Sequence, residues 1–238
     1  MARSGGIACS ALSEQAGKDL YIIIPGSLIY PALYNGPLNY FARLVREKEI
    51  HLEQFDHYTK QTYRNRCNIL GPNGVISLSI PVKKKHGTKS LVRDIRIDYD
   101  MAWNRSHWRS LVASYASSPF FEYISDDLTW FYTNKFDFLI DFNLQMLESI
   151  MGWMGLHIPV SCTVSFMEIL NESDPRHFIH PKIDETIADP DFQKVEYHQV
   201  FSDRFGFQPN LSVLDLLFNE GPGAHGILLK SLRTYSPG

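Results

Sequence analysis

The stretch Tyr63-Arg64-Asn65-Arg66-Cys67-Asn68-Ile69 sets two guanidinium groups two residues apart. On an extended chain alternate side chains share a face, so Thr62, Arg64, Arg66 and Asn68 point one way and Tyr63, Asn65, Cys67 and Ile69 the other. Two arginines about 7 Å apart on one face form a forked donor array suited to phosphate or carboxylate oxygens. A half-solvated strand has the same alternation, so the pattern leaves a ligand face and a solvent face both open.

Other residues of chemical interest are scattered. Lys83, Lys84, Lys85 and Lys89 in KKKHGTK would clamp an anion or simply solvate a hairpin tip and guard an edge. In Trp103-Asn104-Arg105-Ser106-His107-Trp108-Arg109, helical spacing puts His107 on an aromatic stripe with Trp103 and Leu111, and Arg105 and Arg109 beyond its edge. His107 there is a hydrogen-bonded core residue or a general base in an aromatic pocket. Asn104 falls in the same stripe and needs a partner. Asp174, His177 and His180 fit no standard zinc spacing, so no metal is expected. Ser212 and Asp215, which suggest a nucleophile with an acid, are more simply a capping box at the start of an apolar helix. Phosphate-loop, GxSxG, HExxH and dinucleotide-binding patterns are absent from the sequence, and nothing in it names a cofactor.

The elements that must position these residues follow from periodicity. LYIIIPGSLIY (20–30) reads as a buried strand, PLNYFARLV as a helix with Pro37 in its first turn, and EIHLEQF (49–55) as a second strand. A β-α-β opening of this kind favours a parallel pair. TYRNRCNIL and VISLSIPV flank Gly71-Pro72-Asn73-Gly74 as a hairpin, and LVRDIRIDY reads as a third arm, giving a β-meander. From about residue 100 the period becomes helical, with helices in MAWNRSHWRSLVASY, SDDLTWFYTNK and KFDFLIDFNLQMLESIMGWMG. VEYHQVF (195–201) reads as a further strand and LSVLDLLFNE as a helix stopped at Gly221-Pro222-Gly223. The expected fold is α/β (or α+β): a β-α-β unit and meander under a layer of helices. Residues 1–18 form a loose tail; residues 19–238 form one domain, sheet-rich over 19–99, helical over 100–157 and irregular over 158–238.

With 238 residues, 44% hydrophobic, the chain can bury a sizeable core. A net charge of −3 argues against generic nucleic-acid binding. No run reaches the ~20 apolar residues of a membrane span, so no membrane insertion is expected. Cys9, Cys67 and Cys162, odd in number and widely spaced, read as reduced thiols of a cytoplasmic protein. Oligomeric state is left open.

Taken together, YTKQTYRNRCNILGPNG, LSIPVKK, IRIDYDMAWNRSHWRSLVASYASSPFFEY, FDFLIDFNLQMLESI, VEYHQVF and GFQPNLSVLDLLFNEGP resemble the WbqC-like family of bacterial proteins, in its Bacteroides-type version. The resemblance runs from about residue 49 to 223. It implies a cytoplasmic role in the biosynthesis or modification of cell-surface polysaccharide of the O-antigen or lipopolysaccharide type. A transferase acting on an activated amino sugar is one reaction it suggests; a noncatalytic binding or assembly component of the same pathway is the other reading. Its partner would be a nucleotide-sugar or an acyl or aminoacyl donor. Carried onto this chain, it implies His107 as general base and Tyr58, Lys60, Arg64, Asn65, Arg66, Trp103, Trp108 and Arg109 as substrate-binding residues. The Gln-Pro common near the start of family members is missing here, and Gln54 and Phe55 stand where many members carry paired aspartates.

Overall fold

A computed structural model describes residues 28–83, 90–169, 174–181 and 189–233. The expected tail, the first part of the strand over 20–30, and Lys84, Lys85 and Lys89 lie outside the described residues. The chain is an α/β protein with a small parallel sheet, an antiparallel hairpin and a helical layer.

The β-α-β opening is present. Strand β1 (Ile29–Pro31) leads through α1 (Leu38–Leu44) to β2 (Ile50–Glu53), and the two strands pair in parallel with Tyr30 opposite Leu52. A third parallel strand, β5 (Val160–Cys162), completes the sheet on the far side of β2. Every residue of β1 and β2 is buried, as expected for parallel strands covered on both faces. Pro37 precedes α1, whose residues are all buried, and its Arg43 is compensated by ion pairs to Asp189 and Asp191.

The hairpin is also as expected. β3 (Arg66–Gly71) and β4 (Gly74–Ser79) pair antiparallel in a register that sets Arg66 opposite Ser79 and Gly71 opposite Gly74. Gly74 closes the turn at φ 106°, a conformation open to glycine at little cost. Cys67 and Ile69 are buried and Arg66 and Asn68 partly exposed, so the alternation read from sequence holds from residue 66 onward. Residues 60–65 instead form a turn, in which Gln61 has φ 59° and the Thr62 hydroxyl donates to the Thr59 carbonyl.

Two expected strands are corrected. LVRDIRIDY is not a third meander arm: Val92–Asp94 is a 3-10 turn, and its neighbours touch other segments only through isolated bridges. The main-chain amides of Val92 and Arg93 donate to Asp56 and Gln54, and those of Ile97 and Asp98 to Asp137 and Pro81. With its donors divided among three segments, the stretch has no continuous ladder to join. Residues 195–201 likewise form no strand; Tyr197 and Gln199 turn their side chains onto Asp215 instead. Cys67 is a free, buried thiol, but Cys162 is disulfide-bonded, which corrects the expectation of reduced thiols throughout.

Three long helices follow: α2 (Trp103–Tyr115), α3 (Phe121–Thr133) and α4 (Leu139–Trp153). Phe142 of α4 is fully buried and packs against Tyr34, Trp103, Phe131 and Phe136, making an aromatic joint between the helices and the loop after β1. A short helix α5 (Ser202–Phe205) precedes α6 (Val213–Glu220) and α7 (Ala224–Lys230). Ser212 caps α6 by accepting from the Leu214 amide, as expected. Asp215 does not complete a capping box. Its carboxylate is buried and accepts hydrogen bonds from Tyr115, Tyr197 and Gln199, tying α2 and the 197–199 segment to α6. Among the described residues no helix is long and apolar enough to cross a membrane.

The end of α6 supplies a test of this packing. Gly221 sits at φ 53°, and a Cβ there would lie 2.4 Å from the Phe120 ring. Gly221→Ala should therefore cost roughly 2–4 kcal/mol from backbone strain and overpacking together, read as a lower urea midpoint at unchanged slope. An unchanged midpoint would show that the α6 end is not built this tightly.

Candidate functional site

Ser79, the last residue of β4, joins the two halves of the expected site. Its hydroxyl is 3.2 Å from Arg66 Nε, which donates to it, and its main chain lies near enough to the His107 ring to act on its pKa. The hairpin thus brings Arg66 and His107 to opposite sides of one residue. Tyr58 lies close enough to Arg64 and Arg66 for both cations to lower its pKa, yet burial outweighs them and pushes the phenol up to about 12. Tyr58, Arg64, Arg66 and His107 therefore belong to one neighbourhood.

The two arginines differ in charge state of their surroundings. Arg64 is largely buried and ion-paired with Asp56, so its charge is met within the protein. Burial lowers its pKa, and Asp56 pulls against that shift. Its carbonyl accepts from Asn143, 2.8 Å away, which fixes the turn to α4. A parallel arrangement lies beside it. Glu53, fully enclosed at the end of β2, accepts from the amides of Phe55 and Met167 and faces Arg176 at 4.0 Å. Arg176 is itself gripped by Asp174 through two side-chain hydrogen bonds of 2.9 and 2.7 Å. Arg66 has no carboxylate partner among the described residues, and Lys60 is exposed on the adjoining turn. Asn65 donates to the Ile80 carbonyl at 2.8 Å and so anchors the mouth of the hairpin.

His107 is enclosed. It is 5% exposed, its Nδ1 is 2.9 Å from the Tyr34 hydroxyl, and that hydroxyl is 2.9 Å from the hydroxyl of Tyr132. Trp103 crosses the ring edge-on and Tyr34 stacks on it. Burial drives its pKa down to about 4, with the Ser79 main chain working against the shift, so near neutral pH the ring is uncharged. The ring is thus held among aromatic side chains, with Nδ1 on a tyrosine hydroxyl. Trp103 is buried too, whereas Trp108 is partly exposed and packs on Phe121 and Tyr132. Asn104 finds its partner in the Tyr132 carbonyl, 2.8 Å away. Arg109 stands apart, exposed on the outward face of α2.

Several residues here escape the sequence reading. Ser79 was recoverable, because the hairpin register alone puts it opposite Arg66. Glu53 and Asp56 flank Gln54 and Phe55, where paired aspartates seemed to be missing, so the end of β2 does bear two carboxylates. Gln54 instead holds β5 by donating to the Thr163 carbonyl at 2.6 Å. No local pattern links Arg176 or Tyr132 to the site. Among the described residues no group of three or more His, Cys, Asp or Glu is placed to hold a metal.

The family model of the WbqC-like protein family matches residues 33–226, and the chain belongs to that family. It is similar to the uncharacterized protein Rv1507c of Mycobacterium tuberculosis (strain ATCC 25618 / H37Rv), with 24% identity over 70% of this chain and 81% of that protein. No solved structure matches.

The buried histidine predicts a pH dependence of stability. With its pKa held near 4 in the folded state and near ~6.5 when unfolded, the unfolded chain binds more protons between those values. The contribution is complete above pH ~6.5, falls as pH drops and is gone below about 4. Wild type should lose about 2 kcal/mol more than His107→Gln between pH 7 and pH 5 in urea unfolding. Parallel stability profiles for the two proteins would remove His107 as the cause.

Proposed function

We propose that this WbqC-like protein binds a phosphate-bearing activated donor, a nucleotide-sugar in the first instance, and serves in the biosynthesis or modification of cell-surface polysaccharide. The observation that carries this reading is the unneutralised Arg66 beside Tyr58, next to an Arg64 whose charge Asp56 already meets. An arginine left without a carboxylate keeps its planar fork for a phosphate, and Lys60 on the exposed turn adds a second, movable cation. Tyr58 offers a phenol that stays protonated at neutral pH and can donate to the same oxygens. An acyl donor that carries a pyrophosphate would use the same groups.

As a transferase the protein would pass a small group from that donor to an amino sugar. The enclosure of His107 favours the second reading, a noncatalytic binding component of the pathway, because an imidazole sealed among Tyr34, Trp103 and Tyr132 does not reach a substrate. The cytoplasmic location belongs to the same proposal, since nucleotide-activated sugars are cytoplasmic substrates; the disulfide at Cys162 is the observation that stands against it.

Thermal shift with UDP-N-acetylglucosamine, other nucleotide-sugars and acyl-CoAs tests the binding reading, since a ligand bound only by the folded state raises Tm. Arg66→Ala should weaken whichever ligand binds by about tenfold, the value of one charge-assisted hydrogen bond, with Lys60→Ala weaker in effect. If Arg66→Ala leaves every affinity unchanged, the proposal fails. Mass-spectrometric detection of a modified amino sugar separates transfer from binding alone.

A further inference from the structure

The outward face of α2 and the β3–β4 turn enclose an open cleft of about 580 Å³, within the range of small-molecule sites. Arg105 and Arg109 line it from the helix, one turn apart, and Pro72 and Asn73 from the turn. None of its lining residues is acidic, and neither arginine has an ion-pair or hydrogen-bond partner among the described residues. The whole of α2 contains no Asp or Glu. An ordinary solvated helix face interleaves carboxylates with its cations, whereas two like charges at i and i+4 repel and cost the helix a few tenths of a kcal/mol. On the other side of the turn Arg204 donates to the Pro72 carbonyl at 2.7 Å, which steadies the turn and adds a third positive charge behind it.

The cleft floor is formed by small side chains, including Ala113, so a ligand can approach the helix backbone closely.

We propose that this cleft is a second anion site, taking the phosphoryl group of a phosphorylated small molecule between Arg105 and Arg109. Its position sets it apart from the Arg66 neighbourhood. Arg66 lies at the open end of the hairpin, five residues and roughly 16 Å of strand from Gly71, and His107 points about 200° round α2 from Arg109. The volume exceeds that of a bare phosphate, so the ligand carries a further group, a sugar or a nucleoside.

Isothermal titration of the full chain with inorganic pyrophosphate, glucose 1-phosphate and UMP tests this. At least one should bind, with Arg105→Ala and Arg109→Ala each weakening it about tenfold and the double variant abolishing it. Ala113→Trp, which fills the cleft and leaves both arginines in place, should block it. Tm and far-UV circular dichroism of the two arginine variants should match wild type, since both side chains are exposed. Tighter binding of glucose 1-phosphate or of UMP than of pyrophosphate identifies the sugar or the nucleoside as the second group. Binding that responds to Arg66→Ala but not to Arg105→Ala or Arg109→Ala overturns the second site and leaves the first reading standing. Binding that responds to the cleft arginines but not to Arg66→Ala does the reverse. No binding of any of the three probes at millimolar concentration overturns the proposal.

Discussion

The hydroxyl of Tyr34 is the joint on which the arrangement depends. It lies between His107 Nδ1 and the Tyr132 hydroxyl, so one buried oxygen links the loop after β1 to α2 and α3. Inside an aromatic cluster such bonds are electrostatically stronger than in water, and each group would be costly if left alone. The same joint fixes where α2 sits over the hairpin: His107 reaches the Ser79 main chain, and Ser79 in turn meets Arg66. Removing the joint would therefore disturb both the helical layer and the arginine neighbourhood. The enclosure that surrounds His107 also keeps its ring uncharged near neutral pH.

Charge is distributed in a way the net value of −3 conceals. Among the described residues three enclosed arginines are each met by a carboxylate: Arg43 by Asp189, Arg64 by Asp56, and Arg176 by Asp174. A buried arginine deprived of its carboxylate would be strongly destabilising, so these pairs belong to the framework. Cations without a carboxylate partner among the described residues include Arg66 and Lys60 at the mouth of the hairpin and Arg105 and Arg109 along the outer face of α2. A slightly acidic protein can in this way present two local cationic surfaces without the overall basicity of a nucleic-acid binder.

Much of the architecture was legible because it is written in short-range periodicity. The β-α-β opening, the GPNG hairpin and the three long helices follow from apolar spacing and from turn residues with defined backbone preferences. LVRDIRIDY and VEYHQVF were misread for a shared reason. Both have the composition of strands, but a strand needs a neighbouring edge: the main-chain donors of the first are divided among other segments, and in the second the His198 amide donates to the Glu220 carboxylate. The site was legible only in part. Arg64 and Arg66 were visible as a pair, and their proximity to Tyr58 is borne by the turn over 60–65 rather than by the strand face that the pattern suggested.

The sequence by itself determined which segments become helices and hairpin, because those choices rest on side-chain spacing and backbone preference within a few residues. It also determined that the cations of RNR and HWR would be carried on ordered elements. Only the tertiary structure decided which of those cations stay available. Asp56 and not a ligand meets Arg64, while α2 turns His107 inward and Arg109 outward. The physical reason is that a charge or a proton site is defined by what surrounds it. For His107 the partners lie 73 residues away at Tyr34 and, through that tyrosine, at Tyr132, a separation across which local pattern carries no information.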